Sequence, residues 1–383
     1  MFKEKFKIRL SHKSRAGLFR SPPEIDKRDG KYLVTGKKRV INFASNDYLG
    51  LGVSDELKRK VSDNFMKYGT SSSSSRLVSG NYSLINRAEK RYAVYFGYDD
   101  AVFFPSGYQA NIGIISAFFR KGDTVIFDKH IHASSVKGIM LSGTGFYGYN
   151  HNSISHLTKR LEAKKDKRAA VLTESLFSMD GDFLDVSAFK KAKERYCFMS
   201  IIDEAHAFGA LGEKGRGLAR DAADIAVGTF GKSLGFFGAF VLLPEGMKEY
   251  LFNFSSPLIY STTLPEAHAA SAIDILDIIS RSEDKRGHLR KVSRLMKEGL
   301  ISEGYDVRGD AHILALLIGD EQQAVSISEE LIKKGIFVLP ARYPTVPAGR
   351  AILRIGMTAL HTAEDVEHFI NSLKQVKKSD LCG

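Results

Sequence analysis

Phe198-Met-Ser-Ile-Ile-Asp-Glu-Ala-His206 is a continuously apolar run that ends in two carboxylates and a histidine. A run without polar alternation suits a strand buried on both faces, as in a parallel sheet. Ligands of open α/β sheets bind outside the carboxyl ends of such strands. Asp203 and His206 are therefore expected where chemistry is done. The acid suits a cationic ring nitrogen, and the imidazole suits a phenolic oxygen. The alternative is a metal pair, but neither a second histidine at ligand spacing nor a carboxylate triad accompanies it.

Similar short apolar runs lie at 101–104, 124–127 and 170–173, and helix-like spacing occupies 107–119, 133–141, 153–164 and 185–195. Strands alternating with helices predict a layered α/β domain. Past residue 265 the pattern changes to helices at 265–282, 286–303, 321–334 and 363–377, with strands at 313–318, 336–339 and 352–355 and a proline-bearing loop at 340–347. The expected division is an N-terminal segment over 1–45, a large α/β domain over 46–275 and a small C-terminal α+β domain over 276–383. There is no internal repeat, and the serine run Ser71–Ser75 sits too close to Gly69 and Gly80 to be a stable helix.

Composition excludes several classes. With 383 residues, 43% hydrophobic and 26% charged, the chain is long and apolar enough to bury a core, which rules out global disorder and collagen-like repeats. Its two cysteines, Cys197 and Cys382, make no disulfide framework and fit a reducing compartment. The opening Met1-Phe-Lys-Glu-Lys-Phe-Lys7 lacks the apolar core of a signal peptide. The most apolar window, 234–243, ends at Pro244 after about half a membrane span. A cytoplasmic protein without membrane partners is expected. The net charge of +12 suits any anionic partner, but its dense runs Lys159-Arg160, Lys164-Lys165, Lys167-Arg168 and Lys285-Arg286 fall in helical segments interrupted by acids. Those read as solvated faces, and no nucleic-acid signature accompanies them.

Two glycine motifs compete for attention. Gly143-Thr-Gly-Phe-Tyr-Gly148 matches the bare dinucleotide fingerprint, yet a helical segment precedes it and Arg168 stands where an acid is required. It reads as a turn into a strand. Gly228-Thr-Phe-Gly-Lys-Ser233 resembles the end of a P-loop, but Ala226 replaces the first glycine. The helix that must start at Lys232 is opposed by Gly235, Gly238 and the strand-like 239–243. A P-loop-like nucleotide hydrolase is the rival reading, and it predicts magnesium-dependent nucleotide binding.

Another role for Lys232 comes from its company. Pro105-Ser-Gly-Tyr-Gln-Ala-Asn111 follows a strand and opens a helix, where unpaired amides and the helix dipole hold anions. His132, past another strand end, is placed to stack on an aromatic ring, and a lysine in a partly apolar site forms Schiff bases. A phosphate cradle, a stacking ring, a ring-nitrogen carboxylate and such a lysine are what pyridoxal 5′-phosphate requires.

The ordered motifs resemble the α-oxoamine synthases, fold-type I pyridoxal-phosphate enzymes, over nearly the whole chain. They are Asn42-Phe-Ala-Ser-Asn-Asp-Tyr-Leu-Gly-Leu51, Ser75-Arg-Leu-Val-Ser-Gly80, Ser106-Gly-Tyr-Gln-Ala-Asn111, Glu174-Ser-Leu-Phe-Ser-Met-Asp-Gly-Asp182, Asp203-Glu-Ala-His206, Thr229-Phe-Gly-Lys232, Tyr343-Pro-Thr-Val-Pro347, Leu353-Arg-Ile355 and His361-Thr362. The resemblance implies a large, mainly parallel-sheet domain with a smaller C-terminal α+β domain. It implies Lys232, His206 and Asp203 as the catalytic set, with Lys232 holding the cofactor and moving protons and Asp203 pairing with the ring nitrogen. His132 would stack on the ring and border the substrate, while Ser178 and His206 address the phenolic edge. Gly107, Tyr108 and Thr229 would hold the phosphate, and Ser261 and Thr262 would reach the partner subunit's phosphate in a homodimer with shared sites. Arg354 and Asn46 would hold the amino-acid carboxylate, and Arg20 and Thr345 would border the acyl group.

The implied reaction is a decarboxylating condensation of an amino acid with an acyl thioester carried on coenzyme A or acyl carrier protein. Within the family, Arg342-Tyr-Pro-Thr-Val-Pro347 favours the oxononanoate- or aminolevulinate-forming members, and the short termini and total length favour the former, which implies L-alanine and a pimeloyl thioester giving 8-amino-7-oxononanoate for biotin synthesis. Glycine C-acetyltransferase, 5-aminolevulinate synthase and serine palmitoyltransferase share the cofactor set and stay open as alternatives. A non-catalytic subunit of a heterodimeric synthase is expected to lack the lysine that this chain has. The sequence departs from the family at Ile85, where a histidine is usual, at Ser72–Ser75, where glycines are usual, and at Ala239, the second of a usual glycine pair.

Overall fold

The computed structural model describes residues 2–36, 38–164 and 168–380, so Lys165, Lys167 and Cys382 lie outside the described residues. The chain divides into two compact units. The larger comprises Leu49–Ser178 and Phe183–Arg286, and the smaller comprises Met1–Tyr48, Met179–Asp182 and Gly287–Gly383.

Seven strands build the larger unit's sheet. In spatial order they are Asp100–Phe104, Ala239–Leu243, Ile225–Thr229, Met199–Asp203, Ala169–Glu174, Thr124–Asp128 and Gly145–Tyr149. Ala239–Leu243 runs antiparallel to both neighbours, and the pairs from Ile225–Thr229 outward are parallel. One edge of the sheet consequently gathers Phe104, Ala239, Thr229, Asp203, Glu174 and Asp128, because the register sets Ala239 opposite both Phe104 and Thr229 and Glu174 opposite Asp203. The strands form where the sequence has β-branched and aromatic residues without polar alternation. One face packs Val102, Ile114, Ile115, Val125, Leu172, Ile201, Val227 and Val241 into a core. On the aromatic side Tyr92, Phe96, Phe208, Phe230 and Phe240 meet with centroids 4.4–5.9 Å apart. Burying each such side chain is worth about 1.5–3 kcal/mol.

The segment after the serine run is pinned by a buried ion pair. Arg76 Nη1 donates to Glu89 Oε1 at 2.6 Å, and the two side chains are 1% and 0% exposed. Phe103 N donates to the same oxygen at 2.9 Å, and Lys248 Nζ lies 3.0 Å from Oε2. Ile85 of the Ser83–Phe96 helix is 1% exposed and belongs to the core.

The smaller unit begins with the helix Phe2–Arg15, none of whose residues is buried. A hairpin of Lys27–Asp29 and Tyr32–Thr35 follows, turning at Gly30 (φ 58°), and its partner strand Lys38–Asn42 lies parallel to Ile336–Phe337. A second sheet orders Val307–Arg308, Ile313–Gly319, Ala351–Gly356 and Leu339–Ala341, all antiparallel. The strand predicted over 336–339 is therefore two strands in two sheets, and the loop predicted from 340 starts later, at 342. Pro340, which has no N–H to donate, is accommodated because its strand is at the sheet edge. Gly181 has φ 71° and would put a Cβ 2.1 Å from the Ile313 oxygen, so only glycine fits there. Among the described residues no helix is long and apolar enough to cross a membrane.

Candidate active site

The Asp100–Phe104 strand ends at Ser106, which caps the helix Gly107–Phe118 by accepting from Gln109 N at 3.2 Å. Helix-terminal amides without partners attract anions. A Cβ on Gly107 would meet only Thr229 Cβ, at 4.0 Å, so these two residues face each other with room between them. Thr229 Oγ1 donates to Gly238 O at 3.0 Å and accepts from Gly231 N at 3.1 Å. That fixes the turn carrying Lys232.

One turn along the same helix, Asn111 Nδ2 donates to Asp203 Oδ2 at 2.9 Å and to Ser134 Oγ at 3.0 Å. Ser134 Oγ is 2.7 Å from His132 Nδ1, which also accepts from Ser134 N and so caps the helix Ala133–Ser142. His132 N donates to Glu174 Oε1 at 2.6 Å. The other oxygen of Asp203 accepts from Ala205 N at 2.9 Å. Lys232 Nζ lies 2.8 Å from His206 Nε2. Four strand ends and one helix are thus joined by side-chain bonds.

Electrostatics follow from burial. Glu174 is pushed up to about 8 by desolvation and then by the Asp203 charge, so it stays protonated at neutral pH. His132 is held below the ordinary imidazole value, chiefly by burial, with Asp203 opposing the shift. Glu204, raised to about 7 by burial, turns away from Asp203 and accepts from Ser175 Oγ, Leu218 N and Ala219 N. Its part is to fold the following loop.

The structure brings Lys232, His206, Asp203, His132, Gly107 and Thr229 to one end of the sheet. Tyr108 is 47% exposed, and its ring meets that of His132 edge-on at 6.4 Å. Ser178 is half-buried, just past the Leu176–Phe183 bridge. Ser261 and Thr262 lie near the surface, in a segment whose hydrogen bonds run through Thr263 to Ser72 and Ser74. In the smaller unit, Arg354 is 3% exposed, and its Nη2 donates to Asn46 Oδ1 at 3.1 Å and to Tyr48 Oη at 3.4 Å. Arg20 Nη2 donates to Thr345 Oγ1 at 2.9 Å. Both pairs singled out from the sequence are therefore together.

Asn111, Ser134, Glu174 and Tyr48 were assigned no role from sequence. Asn111 was findable, since it sits four residues after Gly107 and shares its helix face. The P-loop reading is overturned: Lys232 occupies a turn between the antiparallel strands Ile225–Thr229 and Ala239–Leu243, and no helix begins there.

The donor set suits pyridoxal phosphate. An amine beside an imidazole and a doubly hydrogen-bonded carboxylate rise from strands that pair directly, Met199–Asp203 and Ile225–Thr229, next to a helix N-terminus with an open space at Gly107. Comparison with known proteins agrees. The sequence profile of aminotransferase class I and II matches residues 38–373. The 8-amino-7-oxononanoate synthase of Haemophilus ducreyi is 36% identical over 385 residues, covering 96% of this chain and 99% of the relative. A lysine-to-alanine variant of serine palmitoyltransferase from S. paucimobilis, solved with a bound PLP–myriocin aldimine, superposes with a TM-score of 0.91 at 26% identity, covering 98% of this chain and 97% of that one. The 8-amino-7-oxononanoate synthase of Francisella tularensis gives 0.78 at 29% identity, over 89% of this chain and 99% of that one.

Proposed function

The chain belongs to the aminotransferase class I and II family, among its pyridoxal-phosphate-dependent α-oxoamine synthases, and we propose that it condenses L-alanine with a pimeloyl thioester. Carbon dioxide and the thiol carrier leave, and 8-amino-7-oxononanoate is the product, a step of biotin synthesis. The observation that carries the chemistry is Lys232 Nζ at 2.8 Å from His206 Nε2, in the turn that follows the strand Ile225–Thr229, which pairs with that of Asp203. The name of the 36% identical relative supports the substrates.

When bound, pyridoxal phosphate supplies an electron sink for charge developing at the amino-acid α-carbon. Lys232 anchors the cofactor and then moves the α-proton, with His206 orienting its amine. Asp203, locked by Asn111 and the Ala205 amide, presents its carboxylate to the ring nitrogen. His132, kept neutral by burial, offers a face to the ring and to the substrate, and Ser178 addresses the phenolic edge. Gly107, Tyr108 and Thr229 hold the phosphate at the helix N-terminus. Ser261 and Thr262 serve the partner subunit's phosphate, so the working form is a homodimer. Arg354 and Asn46 bind the amino-acid carboxylate, a task for which a guanidinium fork is suited, and Arg20 and Thr345 border the acyl thioester.

A second reading has its own support. A serine palmitoyltransferase superposes at 0.91 and the oxononanoate enzyme at 0.78, so condensation of serine with a longer acyl chain is the second reading. The deciding experiment is the visible spectrum of the purified protein, before and after borohydride, then with L-alanine, L-serine or glycine. A yellow band fixed on Lys232 and perturbed by alanine, with thiol release from pimeloyl-CoA, is expected. Response to serine alone selects the second reading, and a protein that stays colourless with added pyridoxal phosphate defeats both.

A further inference from the structure

His268 is a buried histidine of the larger unit that the chemistry above does not use. It lies in the first turn of the helix Glu266–Ser280 and is fully buried. Burial pushes its imidazole down to about 4, so the ring is neutral at physiological pH. Nε2 lies 2.6 Å from Phe237 O, and a carbonyl only accepts, so Nε2 carries the proton and donates. Nδ1 is left with its lone pair, and it has no hydrogen-bond partner among the described residues. The rings of Phe230, Phe236 and Phe237 surround the imidazole with centroids at 4.7–5.0 Å. An apolar side chain would suit that cage better, because an unpaired buried polar atom costs stability. What the histidine adds, and an apolar residue could not, is the bond to Phe237 O.

That bond acts on the turn that carries Lys232. Phe230 N and Thr229 Oγ1 both donate to Gly238 O at 3.0 Å, Phe236 N donates to Phe230 O at 2.9 Å, and Gly235 N donates to Lys232 O at 2.9 Å. All four bonds lie within residues 229–238, so they close the turn on itself without fixing it to anything else. His268 reaches it from a separate element, 31 residues beyond Phe237. The approach is close: Gly238 has φ 97°, and a Cβ there would lie 3.0 Å from His268 Nε2. The helix that supplies the histidine is itself anchored further along. Tyr92 Oη donates to Ala272 O at 2.9 Å, while Asn64 Nδ2 and Lys60 Nζ reach the Asp274 carboxylate at 2.8 and 2.9 Å. The helix therefore gives the turn an external reference point.

We propose that His268 is a positioning residue for Lys232: by holding the Phe237 carbonyl it fixes the turn so that the Lys232 amine stays in reach of the amino-acid α-carbon. This rests on the reading of Lys232 as the group that moves the α-proton. No proton passes through His268, whose Nε2–H remains on the ring and donates to backbone throughout. Its effect is on the placement of the amine, and proton transfer is sensitive to displacements of the order of an ångström. The amino-acid carboxylate is assigned to Arg354 and Asn46, so the placement of the turn bears on rate and not on amino-acid affinity.

The test compares the pyridoxal-phosphate-loaded wild type with His268→Leu, which keeps bulk and loses the donor, and with His268→Gln, which restores an N–H donor of similar reach. The reaction read is exchange of the α-hydrogen of L-alanine with solvent deuterium, without thioester, per borohydride-fixable site. At saturating alanine the Leu variant is expected to exchange roughly 10- to 100-fold more slowly than wild type. Half-saturation by alanine should stay within about twofold in both variants, and the Gln variant should recover exchange to within about threefold of wild type. A merely structural role would lower the melting temperature and the yield of loaded sites, but not the rate at each loaded site. The proposal is overturned if the Leu variant exchanges at the wild-type rate per site, if Gln does no better than Leu, or if half-saturation rises while the saturated rate holds. His268→Met, a second apolar variant that adapts to irregular space, repeats the comparison if Leu does not load. Failure of both apolar variants to fold or load would make the residue structural and overturn the proposal as well. The underlying reading is judged on the wild type alone. Exchange of serine and not alanine refutes the substrate, and the variants are then compared with serine; a wild type without the Lys232 chromophore refutes the role of Lys232 and the proposal with it.

Discussion

The two units hold their polar groups differently. In the larger, Asp203, Asn111, Ser134, His132 and Glu174 are linked to one another at 2.6–3.0 Å, and their order is set when the sheet forms. In the smaller, Arg354 reaches Asn46 and Tyr48 at 3.1 and 3.4 Å, and the Arg20–Thr345 pair is exposed. A preorganised network costs no reorganisation during reaction, so it belongs with the cofactor chemistry that all α-oxoamine synthases share. Longer contacts, one pair of them solvent-exposed, suit the part of a site that tells substrates apart. Substitutions in the larger unit are accordingly expected to move kcat, and those in the smaller unit KM.

The widest gap is expected at Lys232→Ala, which should lose the borohydride-fixable chromophore and at least about 10³-fold in kcat, within the range that proton transfer alone supplies. Residual turnover near wild type would break the assignment. Asn111→Ala removes a hydrogen bond to a charged group, worth about 1.5–3 kcal/mol, so kcat should fall roughly 10- to 100-fold with KM near wild type. Isothermal titration of pyridoxal phosphate should also show weaker retention. If instead KM alone rises, the network does not act through Asp203.

Arg354→Lys keeps the charge but loses the fork, and KM for the amino acid should rise about tenfold while kcat holds. Equal loss in kcat would place Arg354 with the larger unit's chemistry. Glu174 gives a pH signature. Its carboxyl ionises near 4.5 unfolded and about 8 folded, so the native chain holds a proton across that window. The stabilisation is full below about 4.5 and is lost as pH rises through about 8. For the cofactor-free protein, Tm of Glu174→Gln should consequently fall less than that of wild type between pH 5 and 8.5, and parallel curves would contradict the shift. The smallest effect is expected at the exposed pair: Thr345→Ala should raise KM for the thioester about two- to fivefold, the worth of one solvated hydrogen bond.

The larger unit was the more legible of the two in sequence, for a physical reason. Runs such as Ala170-Val-Leu-Thr173 are apolar on both faces, a pattern that few other settings accept. Yet Ala239–Leu243 has the same pattern and runs antiparallel, because burial on both faces carries no direction. The partners of the proposed site residues were readable only where they shared a period with them, as Asn111 does with Gly107. Ser134 reaches Asn111 from another segment through folding alone. In the smaller unit the hairpin turns through Gly30-Lys31, with Asp29 paired to Tyr32. The strands around it are short and charged, so the apolar pattern did not expose them. The parting of Ile336–Phe337 from Leu339–Ala341 depends on which sheet each joins, a choice made by residues about 300 positions earlier.

The parallel pairing of Ile336 with Ile41 and of Phe337 with Asn42 also has a consequence for synthesis. A ribosome that has made the first 48 residues has made strands whose partner does not yet exist. The stretch that follows, through Arg286, contains every strand of the larger sheet and is able to close as the chain emerges, while the N-terminal hairpin waits with an open edge. Chains released early, before Ile336, would carry a finished cofactor half and a sticky N-terminus. Between residues 286 and 336 of synthesis the larger sheet has all its strands while Lys38–Asn42 still lacks its parallel partner.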